Sequence, residues 1–379
     1  MQGLRILHLA NDEKFIDQAI KAFEREAPGC NELIVFGKKP FKYVKSKAIA
    51  ASRLKAFSGF ATGLPSYDLV IIHSLDPIFF RPIRSLHSSS VMIWFGWGYD
   101  YYDIICKENL ELLLPETNKN WTELQHRKNI NKKIKSAIRK IFTPNKKSII
   151  GMLDIFCPVL PCEYNITKNT ANTHEFPRQG FWNYGNLEED MIKGFENQTV
   201  TDINILAGNS ASAENNHLDT FSLLSKLNIG NRKIISPLSY GNTQYKDFVI
   251  TRGETAFGDK FKPLVDFMPI QEYVKTLQSC GFVIMNHLRQ QAVGNIVIML
   301  YLGAKVFLNK NCPTFSYLKS KGAVIFSTDD LEALPKMLDE LLNSSDVATN
   351  RKVLAEIWSK EVSQHKTREL LKLAISIRK

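Results

Sequence analysis

The chain of 379 residues is long enough for two domains, and its 44% hydrophobic and 23% charged residues exclude a disordered protein. Its formal net charge of +11 predicts an anionic partner: nucleic acid, lipid headgroups or a phosphorylated substrate. No apolar run reaches about 18 residues and the start of the chain lacks a signal-peptide pattern, so we expect a protein that does not span a membrane. The six cysteines form no C-x-x-C pair, which is typical of reduced thiols in the cytoplasm.

Short apolar runs alternate with helix-length segments in the N-terminal half. The runs are continuous rather than alternating, as expected for strands that are buried on both faces. This spacing predicts βαβ units and a mainly parallel sheet. The predicted strands are residues 4–10, 31–37, 67–75, 90–97 and 153–160.

Aromatic and ionisable side chains follow these strands. Trp97 and Tyr99 lie in the run WFGWGYDYYD, where aromatic faces beside carboxylates suit either a sugar ring or a domain core, so both are candidates for acceptor binding. Asp100 lies in a predicted turn where a carboxylate has no packing role, which makes it the first candidate for a general base. His73 is the second candidate, with a buried structural histidine as the alternative.

Segment 126–147 carries nine Lys or Arg and no Asp or Glu. Its apolar residues recur every three or four positions, which predicts a basic amphipathic helix. We expect this helix to contact an anionic membrane surface, with a solvated face on a core helix as the alternative. No recognition motif for nucleic acid accompanies it. The predicted membrane-binding residues are Arg127, Lys128, Lys132, Lys133, Lys135, Arg139 and Lys140.

The strand–helix pattern lapses after about residue 181 and then restarts. This predicts an N-terminal domain of residues 1–182, a linker of residues 183–202 and a C-terminal domain of residues 203–379. The fold class is therefore α/β, with two doubly wound domains, and the last helices are candidates for packing back on the N-terminal domain. The predicted strands of the second half are residues 203–209, 233–239, 262–267, 282–287, 305–309 and 323–328.

Open α/β sheets bind ligands at the carboxyl ends of their strands, where this half carries small polar residues. Gly208, Asn209 and Ser210 precede a helix predicted to start near Asn216, an arrangement that holds a phosphate or simply caps a turn. The next strand end is a candidate nucleoside site, in which Tyr240 could stack on a base. Its residues are Ser236, Pro237, Leu238 and Tyr240.

The junction NHLRQQAVGN at 286–295 joins a predicted strand to a predicted helix. Arg289 supplies a positive fork for a diphosphate, and Gln290 and Gln291 add hydrogen bonds. Gly294 and Asn295 begin a helix whose positive end would face the same anion. The alternative is a surface ion pair at Arg289.

The sequence has no Walker A, G-x-G-x-x-G, H-E-x-x-H or D-x-D motif. Their absence argues against kinase, dehydrogenase and zinc-hydrolase functions. It predicts a diphosphate site that uses no metal and no cofactor.

The order of these motifs resembles that of the TDP-N-acetylfucosamine:lipid II N-acetylfucosaminyltransferases, glycosyltransferase family 56. The resemblance spans most of residues 67–335. It implies a GT-B fold, with two Rossmann-like domains facing a central cleft, a dTDP-activated acetamido-dideoxy sugar as donor and an undecaprenyl-diphosphate-linked oligosaccharide as acceptor. The matching pieces are residues 71–77, 94–100, 208–210, 237–240, 273–295, 302–309 and 318–331.

The sequence thus predicts a metal-independent glycosyltransferase of bacterial surface polysaccharide synthesis, for enterobacterial common antigen or O-antigen. We expect it to lie peripherally on the cytoplasmic face of the inner membrane. Two other functions stay open: a nucleotide-sugar epimerase or hydrolase on the same scaffold, and a non-catalytic membrane-associated binding module.

Overall fold

The computed structural model describes residues 3–52, 64–106, 109–126 and 145–378 of the chain. These residues divide into two compact units. The first unit contains residues 3–52, 64–106, 145–190 and 357–378, and the second contains residues 109–126 and 191–356.

Each unit is built on a parallel sheet. The first sheet has the strand order β3-β2-β1-β4-β5-β6-β7, and the second has the order β10-β9-β8-β11-β12-β13. In each sheet the first strand along the chain, β1 or β8, is an inner strand. The next two strands extend the sheet on one side of it, and the later strands extend it on the other side, as in doubly wound sheets. The strands are β1 (Ile6–Ala10), β2 (Asn31–Phe36), β3 (Ile49–Ala51), β4 (Leu69–His73), β5 (Val91–Phe95), β6 (Ile155–Cys157), β7 (Arg178–Gln179), β8 (Ile205–Ala207), β9 (Ile234–Pro237), β10 (Phe261–Leu264), β11 (Phe282–Met285), β12 (Lys305–Leu308) and β13 (Phe326–Ser327).

Helices connect the strands within each unit. They are α1 (Ile16–Glu26), α2 (Phe80–Leu86), α3 (Tyr102–Ile105), α4 (Pro115–His126), α5 (Lys146–Ile150), α6 (Glu163–Ala171), α7 (His217–Ser225), α8 (Thr243–Phe257), α9 (Ile270–Gln278), α10 (Val293–Leu302), α11 (Pro313–Ser320), α12 (Thr328–Ala333), α13 (Ser344–Trp358) and α14 (Lys360–Ser376). Among the helices of the described ranges, none combines the length and the apolar composition needed to cross a membrane.

The core of the first unit joins the central strands to α1 and α14. Phe23 from α1 and Leu371 from α14 are fully buried beside Ile6 of β1. The ring of Trp182 stacks on that of Phe95, with 4.1 Å between the ring centroids. The last helix of the chain therefore completes the core of the first unit.

The core of the second unit includes residues from a distant part of the sequence. Trp121 of α4 packs edge-on against Tyr245 of α8, with 5.0 Å between the ring centroids. Both rings belong to the cluster that contains Phe282 of β11 and Phe307 of β12. Residues 109–126, which the sequence analysis assigned to the N-terminal domain, thus pack in the second unit.

The predicted α/β fold class is confirmed. The observed elements differ from the predicted ones mainly at the edges of the first sheet. The sequence analysis missed the short edge strands β3 and β7. In the second unit, α12 ends at Ala333. Pro335 lies two residues later, and proline cannot continue a helix because it has no N–H group and its ring clashes with the preceding turn.

Candidate active site

The loop after β8 turns sharply at Gly208, where φ is +71°. A Cβ atom at this position would lie 2.5 Å from Nε2 of His217 and 3.1 Å from Oδ1 of Asn215, so only glycine fits the turn. The turn places Asn209 and Ser210 at the carboxyl edge of the sheet, where both are almost fully buried.

Asn215 connects this loop to the loop after β11. Its Oδ1 accepts hydrogen bonds from the backbone N–H of Asn209, at 2.8 Å, and from Nε2 of His287, at 2.9 Å. Its Nδ2 donates to Oγ of Ser210 at 3.0 Å and to the carbonyl of Ser212 at 3.1 Å. The sequence analysis missed this residue, because nothing in a single asparagine shows how many loops it will join.

The side chain of Asn216 also connects separate loops. Its backbone is in the left-handed conformation, with φ of +52°. Its Nδ2 donates to the carbonyls of Asn286, at 2.9 Å, and Leu112, at 3.2 Å, while its Oδ1 accepts from the N–H of Leu114 at 2.9 Å. Asparagine tolerates this conformation better than most residues do. The run AENN before a helix was the available signal.

Arg289 is paired with a carboxylate of its own unit. Its Nε lies 2.5 Å from Oε2 of Glu214, and its Nη1 donates to the carbonyl of Gln290 at 2.9 Å. The side chain of Arg289 is only 12% exposed and that of Glu214 25% exposed, so water screens this pair less than a surface pair. A diphosphate at Arg289 has to share the guanidinium with Glu214 or displace it.

Gln291 lies between the two loops. Its Nε2 approaches Oδ1 of Asn209 and Oγ of Ser210, both at 3.4 Å. Its Oε1 is buried and, among the described residues, has no hydrogen-bond partner. An unsatisfied buried acceptor costs about 1–3 kcal/mol, so the site holds an amide that a ligand can satisfy. Gln290, in contrast, is buried in the unit with 3% exposure.

The start of α10 is strained. Ala292 precedes the helix with φ of +58°, a conformation that costs an alanine about 1–2 kcal/mol. The open space around Gly294, where an added Cβ would meet nothing within 4 Å, leaves the first turn of the helix accessible. Asn295 donates from Nδ2 to the hydroxyl of Tyr273 at 3.0 Å. The predicted helix start near Gly294 thus lies one residue from the observed start at Val293.

The predicted nucleoside residues have different surroundings. Ser236 is fully buried and donates to the carbonyl of Ala207 at 3.0 Å, Pro237 is buried in β9, and Leu238 packs in the core. These side chains therefore serve the fold, because none of them is accessible to a ligand. Tyr240 is 52% exposed and is the member that can contact one.

A second exposed aromatic ring lies after the neighbouring strand β10. Phe267 is 70% exposed, although its side chain is large and apolar. Strands β9 and β10 are parallel and paired, so the loops that carry Tyr240 and Phe267 leave the same edge of the sheet. The sequence analysis missed Phe267, since a single aromatic residue after a strand does not show whether it is buried.

In the first unit, Asp100 is 2% exposed, and its carboxylate accepts three hydrogen bonds. Its Oδ2 accepts from the N–H of Leu75 and from Nε1 of Trp94, and its Oδ1 accepts from the N–H of Trp97, each at 2.7 Å. The expectation that this carboxylate has no packing role is wrong, because the turn folds back and caps the ends of β4 and β5. Burial raises the pKa of Asp100, although the three hydrogen bonds act to lower it.

His73 is also engaged on both ring nitrogens. Its Nε2 lies 3.0 Å from Nδ1 of His8, and its Nδ1 lies 2.7 Å from the hydroxyl of Tyr184. That hydroxyl accepts a hydrogen bond from Nε1 of Trp97 at 2.8 Å. Burial lowers the pKa of both histidines, that of His8 to about 4, so both rings are neutral at pH 7. With 1% exposure, His73 orients Tyr184 and, through it, Trp97.

Exposed aromatic rings surround these groups at the ends of β1 and β5. Phe15 is 45% exposed, and its ring centroid lies 5.7 Å from that of Trp97. Tyr99 is 50% exposed and donates its hydroxyl proton to Oγ of Ser74 at 2.9 Å. Ser74 has φ of +74°, a strained conformation that the end of β4 imposes. The sequence analysis identified Trp97 and Tyr99 but missed Phe15.

Glu13, three residues after β1, is a carboxylate of a different kind from Asp100. It is exposed, and within the described part of the chain it makes no hydrogen bond or ion pair through its side chain. Partial desolvation of this carboxyl group raises its pKa, and the neighbouring Asp12 adds to the rise, while Lys14 opposes it. Burial also raises the pKa of Tyr99, with contributions from the charges of Asp100, Asp76 and Glu13, so these groups share one region. The sequence analysis did not identify Glu13.

The predicted membrane-binding residues have no structural account. Arg127, Lys128, Lys132, Lys133, Lys135, Arg139 and Lys140 all lie outside the described residues.

One protein family and several solved structures are similar to this chain. The sequence model of the family described as 4-alpha-L-fucosyltransferase, glycosyl transferase group 56, matches residues 179–354. This range contains all the second-unit site residues described above except Leu112 and Leu114, and it confirms the predicted resemblance.

Solved structures match over nearly the whole chain. Anabaena Alr3699/HepE in complex with UDP and glucose gives a TM-score of 0.65 at 10% identity, over 98% of this chain and 99% of that chain. The α,α-trehalose 6-phosphate synthase of Burkholderia multivorans gives a TM-score of 0.61 at 9% identity, over 98% of each chain. An E. coli structure with bound UDP-2-fluoro glucose gives 0.60 at 13% identity, over 98% of each chain. The chain is therefore a glycosyltransferase with a GT-B fold, and its residues 179–354 carry the signature of glycosyltransferase family 56.

Proposed function

We propose that the chain transfers an acetamido-dideoxyhexose, similar to N-acetylfucosamine with a 4-acetamido group, from a dTDP-sugar to an undecaprenyl-diphosphate-linked oligosaccharide. The pathway is bacterial surface polysaccharide synthesis, either of enterobacterial common antigen or of O-antigen. The observation that carries the proposal is the cluster of strand-end loops at 208–216 and 286–295, which lies inside the segment that matches family 56.

The donor binds to the second unit in this proposal. Arg289 and the exposed first turn of α10 hold the diphosphate, because a cation and a helix N-terminus both favour negative charge. The unsatisfied Oε1 of Gln291 accepts a hydrogen bond from a sugar hydroxyl or acetamido N–H group. Tyr240 and Phe267 provide exposed rings for the base. The complexes with UDP and glucose and with UDP-2-fluoro glucose among the similar structures support a nucleotide-sugar donor.

The acceptor binds to the first unit, where Phe15, Trp97 and Tyr99 offer aromatic faces to a sugar. In an inverting transfer, the acceptor hydroxyl attacks the anomeric carbon and the bond to the diphosphate breaks. The dTDP leaves with the bonding electron pair, and the hydroxyl proton passes to a base. We assign the base to Glu13, because the oxygens of Asp100 already accept three hydrogen bonds.

A lipid-linked acceptor requires the enzyme to work at a membrane. The basic segment 126–147 supports a peripheral position on the cytoplasmic face of the inner membrane, through attraction to anionic headgroups. Liposome flotation tests this part: replacing the basic residues at 127–140 by Gln should reduce binding to anionic vesicles.

Two measurements test the donor and the reaction. A thermal-shift series with dTDP, UDP and GDP should show the largest stabilisation with dTDP. Release of dTDP from a dTDP-sugar should require the lipid-linked acceptor. Stabilisation by UDP or GDP alone would overturn the donor assignment. Release of dTDP at the same rate without acceptor would indicate a hydrolase, and no release under any condition would indicate a binding module.

A further inference from the structure

The loop between β2 and β3 carries a second concentration of positive charge. Residues 38–47 read KKPFKYVKSK and contain five lysines and no Asp or Glu. The loop leaves the carboxyl end of β2, and all five lysines are exposed. We call this segment the lysine loop. Its lysines are Lys38, Lys39, Lys42, Lys45 and Lys47.

Two carboxylates fix the backbone of the lysine loop. Asp12 accepts from the N–H groups of Lys42, at 2.6 Å, and of the next two residues, at 2.9 and 3.0 Å. Asp17 accepts from the N–H of Lys45 at 2.8 Å and from that of Ser46 at 2.9 Å. These hydrogen bonds lower the pKa of Asp12 against the effect of burial, so the carboxylate stays ionised and continues to hold the loop.

Asp12 and Asp17 accept hydrogen bonds from the backbone N–H groups of the lysine loop, not from its ammonium groups. Among the described residues, none of its five lysines forms an ion pair. Two of them lie over aromatic rings instead, with Nζ of Lys39 5.8 Å from the ring centroid of Phe41 and Nζ of Lys42 4.9 Å from that of Tyr43. The loop thus presents exposed cations on a backbone that is already ordered.

The position of the lysine loop relates it to the acceptor. Strands β1, β2, β4 and β5 are neighbours and parallel, so the loops after them leave the same edge of the sheet. The lysine loop therefore lies on the edge that carries Phe15, Trp97 and Tyr99. A diphosphate-linked lipid acceptor would have to reach this edge from a bilayer surface.

We infer that the lysine loop is an electrostatic docking surface for anionic phospholipid headgroups, separate from segment 126–147. An extended, exposed row of lysines suits the many charges of a flat bilayer surface. A base-reading or stacking site for nucleic acid would require polar or aromatic groups directed at bases, and Phe41 and Tyr43 are half-buried beneath the lysines. The link to the acceptor rests on the proposed function, whereas the binding itself does not.

Flotation with vesicles tests the inference on the full chain. The vesicles contain phosphatidylcholine alone or with 30% phosphatidylglycerol, and they carry neither donor nor acceptor. The test variant changes the five lysines of the loop to Gln. Each lysine near an anionic surface contributes a factor of about five to the partition coefficient. We expect a loss of at least about 25-fold, which corresponds to two lysines in contact, and no binding to phosphatidylcholine alone.

Two further variants control for net charge and for folding. The first changes five exposed lysines of the second unit to Gln, so that the net charge falls equally; these are Lys193, Lys233, Lys275, Lys336 and Lys352. It should retain binding within about fivefold. The second changes the five loop lysines to Arg and should restore binding, because the charge is kept. Circular dichroism shows whether each variant is folded.

Three outcomes would overturn the inference: equal binding by the Gln variant of the loop, an equal loss in the second-unit variant, or no binding of the unsubstituted chain to anionic vesicles. Loss of affinity for a single-stranded oligonucleotide, without vesicle binding, would assign the loop to nucleic acid instead. An inactive chain that still binds anionic vesicles through this loop would refute the proposed function and leave this inference standing.

Discussion

The carboxyl edges of the two sheets carry polar residues in contrasting arrangements. In the second unit, amide side chains join the loops, and Asn215 alone connects four groups. In the first unit, Asp100 and His73 are held inside the fold, while Glu13 is exposed and unpaired among the described residues. The contrast fits the two tasks of a glycosyltransferase. A diphosphate needs preorganised donors, whereas a general base needs a carboxylate with free lone pairs.

The largest expected effects distinguish Glu13 from Asp100 in the first unit. Glu13→Gln should lower kcat by about 10²–10⁴-fold, since it removes a general base but leaves no buried group unpaired. Asp100→Asn should instead destabilise the fold by about 2–4 kcal/mol, because an amide NH₂ would face N–H donors. Transfer rates and urea unfolding of both variants measure the difference.

Glu13→Asp is the matched control, and it should recover part of the activity. An unchanged kcat for Glu13→Gln would remove the base assignment and would be consistent with a retaining transfer. A normal stability for Asp100→Asn would contradict the structural role given to Asp100.

Arg289→Ala should lower kcat/KM for the donor by about two orders of magnitude or more, because a charged contact to the leaving diphosphate is lost. Glu214→Gln is the matched control. It removes the competing carboxylate while keeping the arginine, so donor affinity should stay equal or increase. Steady-state kinetics with varied donor checks both. A normal kcat/KM for Arg289→Ala would mean that the ion pair with Glu214 is structural only.

Breaking the hydrogen bonds of Asn215 in the second unit should reduce the free energy of unfolding. Asn215→Ala leaves the N–H of Asn209 and Nε2 of His287 without their acceptor, which should reduce the free energy of unfolding by about 2–4 kcal/mol. Asn231→Ala, at an exposed position, should change it by less than about 0.5 kcal/mol. Urea titrations compare the two, and equal effects would refute the network as a source of stability.

Buried neutral histidines in both units predict a loss of stability in mild acid. Burial lowers the pKa of His8 to about 4 and those of His217 and His287 to about 3. Histidine in an unfolded chain titrates near about 6.5, so below this pH the unfolded state binds more protons and stability decreases. Each histidine should contribute about 1 kcal/mol between about pH 7 and pH 5.5. The raised pKa of Asp100 acts in the opposite direction.

Urea midpoints from pH 7 to pH 5.5 measure this slope. His217→Gln should make it shallower, and His365→Gln, at an exposed position, is the matched control. A midpoint that does not move with pH would contradict neutral buried histidines in the folded state.

The smallest expected effect concerns the strained residue before α10. Ala292→Gly should stabilise the chain by about 0.5 kcal/mol, because glycine accepts a φ of +58° and this gain exceeds the entropy it adds to the unfolded state. Ala256→Gly, in the last turn of α8, should have the opposite sign and cost up to about 1 kcal/mol. Destabilisation by Ala292→Gly would show that the left-handed conformation carries no strain.

The buried strands are the elements that the sequence predicts best. Continuous apolar runs such as those of β5 and β11 have no polar interruption, so burial on both faces is visible in the sequence. Edge strands such as β3 and β7 are two or three residues long and pair on one side, and so they leave no such pattern. Likewise, the location of residues 109–126 in the second unit depends on where Trp121 packs, which no local pattern encodes.

The sequence by itself determined the fold class, the resemblance of residues 179–354 to glycosyltransferase family 56, and which loops carry polar residues after the strands, because periodicity and motif order are properties of the chain. Only the tertiary structure decided which polar groups are already satisfied. It paired Arg289 with Glu214, buried Asp100 among three donors and left Glu13 exposed, since hydrogen bonding and desolvation depend on residues that are distant in sequence and adjacent in space.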